Sequence, residues 1–140
     1  MRRPTGRVFG PGPHDLLCDG VRVAAVEVAE TTALRRRGLL GTDGVEGALW
    51  ITRCPSVHMV GMRYPIDAAV LDRDGVVLAV ATLQPWTGGT RFRRGAVATL
   101  ESAAGSLEQW GVTVGRRLGV DRTLTSAPRH PPGRAIEDHR

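Results

Sequence analysis

The sequence predicts an α+β class protein: one β-rich domain with a mixed, mostly antiparallel curled sheet of seven to nine short strands and two short helices. Three observations carry that expectation. The 140 residues suit one domain able to bury a core of its own. Short apolar runs recur between turn formers along most of the chain, and Asp19-Gly20 and Asp74-Gly75 each stand between two of them, where Asp-Gly supplies the positive φ of a tight hairpin. Only two stretches carry helix start and stop signals.

In chain order, residues 1 to 14 are rich in Arg, Gly and Pro and read as a flexible N-terminal segment, with a short strand at 7 to 9. The globular domain spans 15 to 123. Residues 16 to 18 and 21 to 28 form the first hairpin. Thr31 or Thr32 caps a helix through about Leu40 that Gly41 ends. Within it Arg35, Arg36 and Arg37 point in directions about 100° apart, so at most two should reach inward. Strands follow at 48 to 51, 57 to 60 and 66 to 71, with a break at Pro55. Residues 72 to 75 then turn into an apolar run at 76 to 81. Residues 84 to 94 have turn formers without a period and form a loop, 96 to 100 is a strand ending at Glu101, and 103 to 110 is a helix stopped by Gly111 with Leu107 and Trp110 on one face. A last strand lies near 117 to 120. Residues 124 to 140, with three prolines, read as a disordered tail.

Charge and cysteine usage exclude several functions. All 19 basic residues are arginine and the net charge is +5, but residues 1 to 10 alone carry +3. The body from 11 to 128, with 13 Arg against 12 acids, is nearly neutral. Basic ends on a neutral body argue against a dedicated nucleic-acid partner and leave only weak binding through the termini. Cys18 and Cys54 make no disulfide framework and no paired zinc motif, so both read as free thiols. The basic N-terminus lacks the apolar stretch of a signal peptide, and no run reaches membrane-spanning length. A cytoplasmic protein without a membrane partner is the expectation.

Chemistry-bearing residues concentrate between positions 54 and 75. Asp67 opens the run Ala68-Ala69-Val70-Leu71, which is too apolar for a solvent-facing strand and so reads as central, covered on both faces. A carboxylate there needs a partner. Arg63, His58 and the backbone N–H groups near Thr31 are candidates. Arg37 is the best placed, because Gly38 behind it lets the helix approach the sheet, and the pair would form a structural polar centre.

The stretch Arg37-Gly38-Leu39-Leu40-Gly41, the run from Ser56 through Met62-Arg63-Tyr64-Pro65-Ile66-Asp67 to Asp72 and Gly75, and the closing Leu100-Glu101-Ser102-Ala103-Ala104-Gly105 with Gly111-Val112 resemble family 192 of the domains of unknown function, DUF192, a family of small bacterial and archaeal domains. Gly115-Arg116 stands where that family usually has Gly-Asp. The resemblance covers roughly residues 20 to 120 and implies a compact β-rich domain but no particular reaction.

Cys54, His58 and Asp67 are the candidate catalytic residues, being of the types that form a thiol nucleophile with its base or bind zinc. On a continuous strand Cys54 and His58 would be roughly 13 Å apart, which disfavours both uses, so no metal and no cofactor is expected and Cys54 reads as structural. Met59 and Met62 read as apolar filler rather than copper ligands. Trp86, Phe92, Arg91, Arg93 and Arg94 flank the flexible Gly88-Gly89 and could stack on a sugar or base and clamp an anion. Phosphate-loop, nucleophile-elbow and zinc-protease signatures are absent. The sequence therefore favours a small accessory module that binds an anionic small molecule, glycan or partner peptide near Trp86, Arg91, Arg93 and His58. The rival is a hydrolase or transferase using His58 with Asp67 and either Cys54 or a water.

Overall fold

The computed structural model describes residues 6–123. In order the elements are β1 (Val8–Phe9), β2 (His14–Cys18), β3 (Val21–Ala29), α1 (Thr32–Arg37), β4 (Gly44–Val45), β5 (Ala48–Ile51), β6 (Ile66–Leu71), β7 (Val77–Leu83), β8 (Ala98–Ala103), α2 (Ser106–Gln109) and β9 (Leu118–Asp121). Seven strands form one mixed sheet in the order β7-β6-β8-β5-β3-β2-β9, in which β3 and β5 run parallel and every other pair antiparallel. β1 and β4 form a two-stranded parallel pair beside it.

The large sheet curls until its edges meet. Val76 bridges Arg117, the Val77 N–H donates to Arg116 O at 2.8 Å, and the Leu118 N–H donates to Gly75 O at 2.8 Å. Gly75 makes this closure possible: its φ is +85°, and a Cβ there would stand 2.2 Å from Leu118 O. Joining the edges satisfies backbone groups that an open sheet would leave for another chain to pair with.

Because the curled sheet is covered on both faces, its central strand β6 turns no side to solvent. All six residues of β6 are buried. Leu16, Val26, Ala69, Leu71, Leu100 and Leu118 form an inner cluster with Leu107 of α2, against which the half-buried Trp110 packs. Leu49, Ile51, Ile66 and Ala68 form an outer cluster, closed over by Leu39, Met59 and Met62. Both methionines are buried core, as the sequence suggested.

Several boundaries differ from expectation for physical reasons. Thr31 caps α1 by accepting the Leu34 N–H at 3.1 Å, but the helix ends at Gly38, which takes a φ of +51° and donates its N–H to Leu34 O at 2.9 Å. A second glycine three residues on made the helix look longer. Residues 57 to 60 are not a strand, since His58 forms one bridge, to Gly89, and the neighbouring bonds go to a loop: Thr90 N–H to Val57 O at 2.9 Å and Met59 N–H to Gly88 O at 3.1 Å. β8 starts and ends later than expected, which puts Glu101 inside it. α2 is only four residues long. The expected tail at 124–140 lies outside the described residues.

Candidate functional site

On β8, side chains alternate between the two clusters: Ala98 and Leu100 face inward, and Thr99 and Glu101 face outward. Glu101 lies opposite Leu49 on one neighbouring strand and Ala68 on the other, both members of the outer apolar cluster. Its carboxyl is therefore set among hydrocarbon at 6% exposure. No described residue hydrogen-bonds to it. Burial pushes its pKa up from the ordinary 4.5 to about 7.

Above Glu101 sits the end of α1. A Cβ on Gly38 would stand 3.7 Å from Glu101 Oε1 and 3.8 Å from Ile51 Cδ1, so this residue is where the helix lies on the sheet. A cavity of about 130 Å³ opens beside it, lined by Arg35, Arg36, Arg37, Cys54, His58 and Glu101 among others. All three arginines contribute to that lining, where at most two were expected. The helix stops immediately after Arg37, and the long side chains at its end can fold back over the rim. Arg35 spends one donor on Glu30 O at 2.6 Å, whereas the side chains of the exposed Arg36 and Arg37 have no ion-pair or hydrogen-bond partner among the described residues. On the other side of Arg37 and Gly38 lies a cavity of about 280 Å³, lined by Phe9, Glu27, Leu34 and Thr42 among others.

The remaining lining residues are held by their own local bonds. Cys54 is a half-buried free thiol that donates to Ser56 O at 3.3 Å. Burial first, and the nearby Glu101 second among the raising effects, lift its pKa above the usual thiol value, so it rests as a protonated thiol and not as an activated nucleophile. His58 is exposed, and its Nδ1 accepts the Val60 N–H at 3.3 Å. Close by, Thr42 Oγ1 donates to Leu39 O at 2.6 Å, which leaves the Tyr64 hydroxyl to donate to Thr42 at 2.7 Å. Burial raises the Tyr64 pKa.

Asp67 faces the other way. Its Oδ1 accepts from Thr82 Oγ1 at 2.6 Å, and its Oδ2 accepts the N–H groups of Gly105 at 3.0 Å and Leu107 at 3.1 Å. The expected partner Arg37 is thus wrong: Asp67 ties β6 to β7 and to the start of α2, while Arg37 lies over the opposite face of the sheet. Backbone donors were the right kind of partner, but they come from α2 and not from the start of α1. Arg63 pairs instead with Asp43 at 2.9 Å. The same geometry removes Asp67 as an orienter for His58, so the structure does not assemble Cys54, His58 and Asp67 as a catalytic set. Among the described residues no group of three or more His, Cys, Asp or Glu side chains could hold a metal ion.

The aromatic loop is not part of the cavity. Trp86 is 62% exposed and Phe92 73%, and Arg91, Arg93 and Arg94 are exposed too. Of the expected binding set Trp86, Arg91, Arg93 and His58, only His58 reaches the lining. Sequence reasoning missed Glu101 as a site residue. Its signal was slight, a single acid next to Leu100 in the half-polar stretch from Ala98 to Ala103, and ending the strand at Glu101 gave it the look of an edge residue.

These features define a small β-rich α+β domain, a curled sheet with an acid-floored cavity beneath its first helix. The chain belongs to DUF192, described as an uncharacterized ACR, and the family's profile matches residues 17–120, which include every lining residue named above for the cavity at Glu101. Two solved structures share the fold. One is a protein of unknown function from Novosphingobium aromaticivorans, with TM-score 0.61, 21% identity, and coverage of 75% of this chain and 83% of that one. The other is a proposed transcription regulator from Sinorhizobium meliloti, with TM-score 0.64, 21% identity, and coverage of 76% of this chain and 92% of that one. At such identity the likeness is one of fold alone. No curated protein matches the chain. Among the described residues no helix is long and apolar enough to cross a membrane.

Proposed function

We propose that this domain is a small-molecule binding module whose anionic ligand sits in the cavity between α1 and β8, held at the rim by Arg36 and Arg37. One observation carries the proposal: a buried carboxyl with no hydrogen-bond partner among the described residues lines a cavity whose rim has two unpaired arginines. Burying a polar group unsatisfied costs roughly 2 kcal/mol or more, and a buried acid left unpaired in a cleft is a mark of a functional site. A leucine would serve the outer cluster better, so packing does not explain Glu101. A ligand that bonds to it would.

Binding is favoured over catalysis because the protonated Cys54, the locally held His58 and the distant Asp67 supply no nucleophile with its base. Two free thiols suit a reducing compartment, and the cytoplasm is where we place the protein. The proposal is tested by thermal-shift and calorimetric titration with inorganic phosphate and small carboxylates. A ligand that prefers the folded state raises the melting midpoint. The expected result is stabilisation by at least one of these anions, lost in the Arg36→Ala, Arg37→Ala double variant. Stabilisation by none of them, or stabilisation undiminished in the double variant, would sink the idea.

A further inference from the structure

The cavity has opposite chemistry at its two depths. Its lining includes the exposed residues Arg36 and Arg37 at the end of α1 and the buried Glu101, which lies against the apolar residues Leu49, Ile51 and Ala68. No cation among the described residues hydrogen-bonds or ion-pairs with Glu101, and Arg35 already donates to Glu30 O. The other titratable groups around it, Cys54, His58 and Tyr64, do not hydrogen-bond to it either. An occupant that is anionic throughout would bring like charge against the carboxylate. A neutral hydroxyl would leave burial free to keep the acid protonated, whereas an ammonium group would form a charge-assisted hydrogen bond and hold the acid ionised.

We infer that the ligand is amphoteric, a small molecule that places a primary amine at Glu101 and a carboxylate or phosphate at Arg36 and Arg37. This rests on the proposed anion-binding role and adds the chemistry of the second end. A charge-assisted bond exceeds a neutral one by enough to give about tenfold in affinity.

Matched probes on the unmodified protein test it: ethanolamine phosphate against 2-hydroxyethyl phosphate, and β-alanine against 3-hydroxypropanoate. Each pair differs only in amine or hydroxyl, and the two pairs separate a phosphate from a carboxylate ligand. The expected outcome is that the amine member of at least one pair binds about tenfold tighter, and that Glu101→Gln abolishes that preference while the hydroxyl member binds as before. Equal affinities within both pairs would overturn the inference and leave the anion site standing. A preference that survives Glu101→Gln would place the amine elsewhere and overturn it too. Binding by no probe would defeat it together with the anion-binding role. The matched-pair comparison needs no variant, so a folding defect in Glu101→Gln would not shield the inference.

Discussion

Replacing Glu101 by Gln should change how stability depends on pH, by an amount the structure supplies. The folded pKa is raised, from the ordinary 4.5 to about 7, so the native state binds more protons than the unfolded chain across that interval. Stability contributed by the protonated carboxyl is therefore fully present below about pH 4.5, falls as pH rises, and is gone above about pH 7. Each pH unit of displacement corresponds to 1.36 kcal/mol, so the whole fall amounts to about 3 kcal/mol. Glutamine imitates the protonated acid at every pH and should be spared this loss.

Urea unfolding followed by tryptophan fluorescence, at about pH 5 and about pH 8, measures both proteins under matched conditions. With an m-value of about 1.5 kcal/mol/M, the wild-type midpoint should drop by about 2 M relative to the variant between the two pH values. Arg35, Arg36 and Arg37 on α1, Cys54 and His58 on the following segment, and Tyr64 surround the carboxyl in both proteins, so their own titrations largely cancel in the difference. A difference that does not vary with pH would refute the reasoning. It would mean that Glu101 has a partner or is solvated in the folded protein.

Two further predictions concern the scaffold. Asp67→Ala strands three donors from Thr82, Gly105 and Leu107 and should cost about 3–5 kcal/mol in urea unfolding, whereas the exposed Arg37→Ala should cost less than about 0.5 kcal/mol and add independently in the double variant. A coupling above about 1 kcal/mol would restore Arg37 as the partner of Asp67. Gly75→Ala and Gly20→Ala start from the same φ of +85°, but only at Gly75 does the new Cβ meet a backbone oxygen, Leu118 O at 2.2 Å, while nothing lies within 4 Å at Gly20. Gly20→Ala should therefore cost about 1 kcal/mol and Gly75→Ala at least about 2 kcal/mol more, with faster amide exchange along β9; equal losses would show that the joined sheet edges contribute little.

What could be read from the sequence follows from how local each determinant is. The hairpins around Asp19-Gly20 and Asp74-Gly75, a helix cap at Thr31 or Thr32 and the apolar β6 depend on residues a few positions apart, and they were legible. The segment at 57–60 was not, because its bonds go to Gly88 and Thr90 in a loop without any periodic signal. The site turns on a single step of register. Gly38 does bring the helix against a carboxylate of the sheet, as its missing side chain suggested. Which carboxylate it meets depends on β6 and β8, where Ala68 is paired with Glu101 and Asp67 with Ser102. Paired residues share a face and adjacent pairs take opposite faces, so a shift of one position would have set Asp67 and Glu101 side by side on one face. Because that register is set by contacts more than thirty residues apart in the chain, the sequence could show that a buried acid awaits the helix without showing that it is Glu101. The face that Asp67 occupies instead offers it the backbone donors of Gly105 and Leu107, which is why the fold satisfies that acid while Glu101 has no hydrogen-bond partner among the described residues.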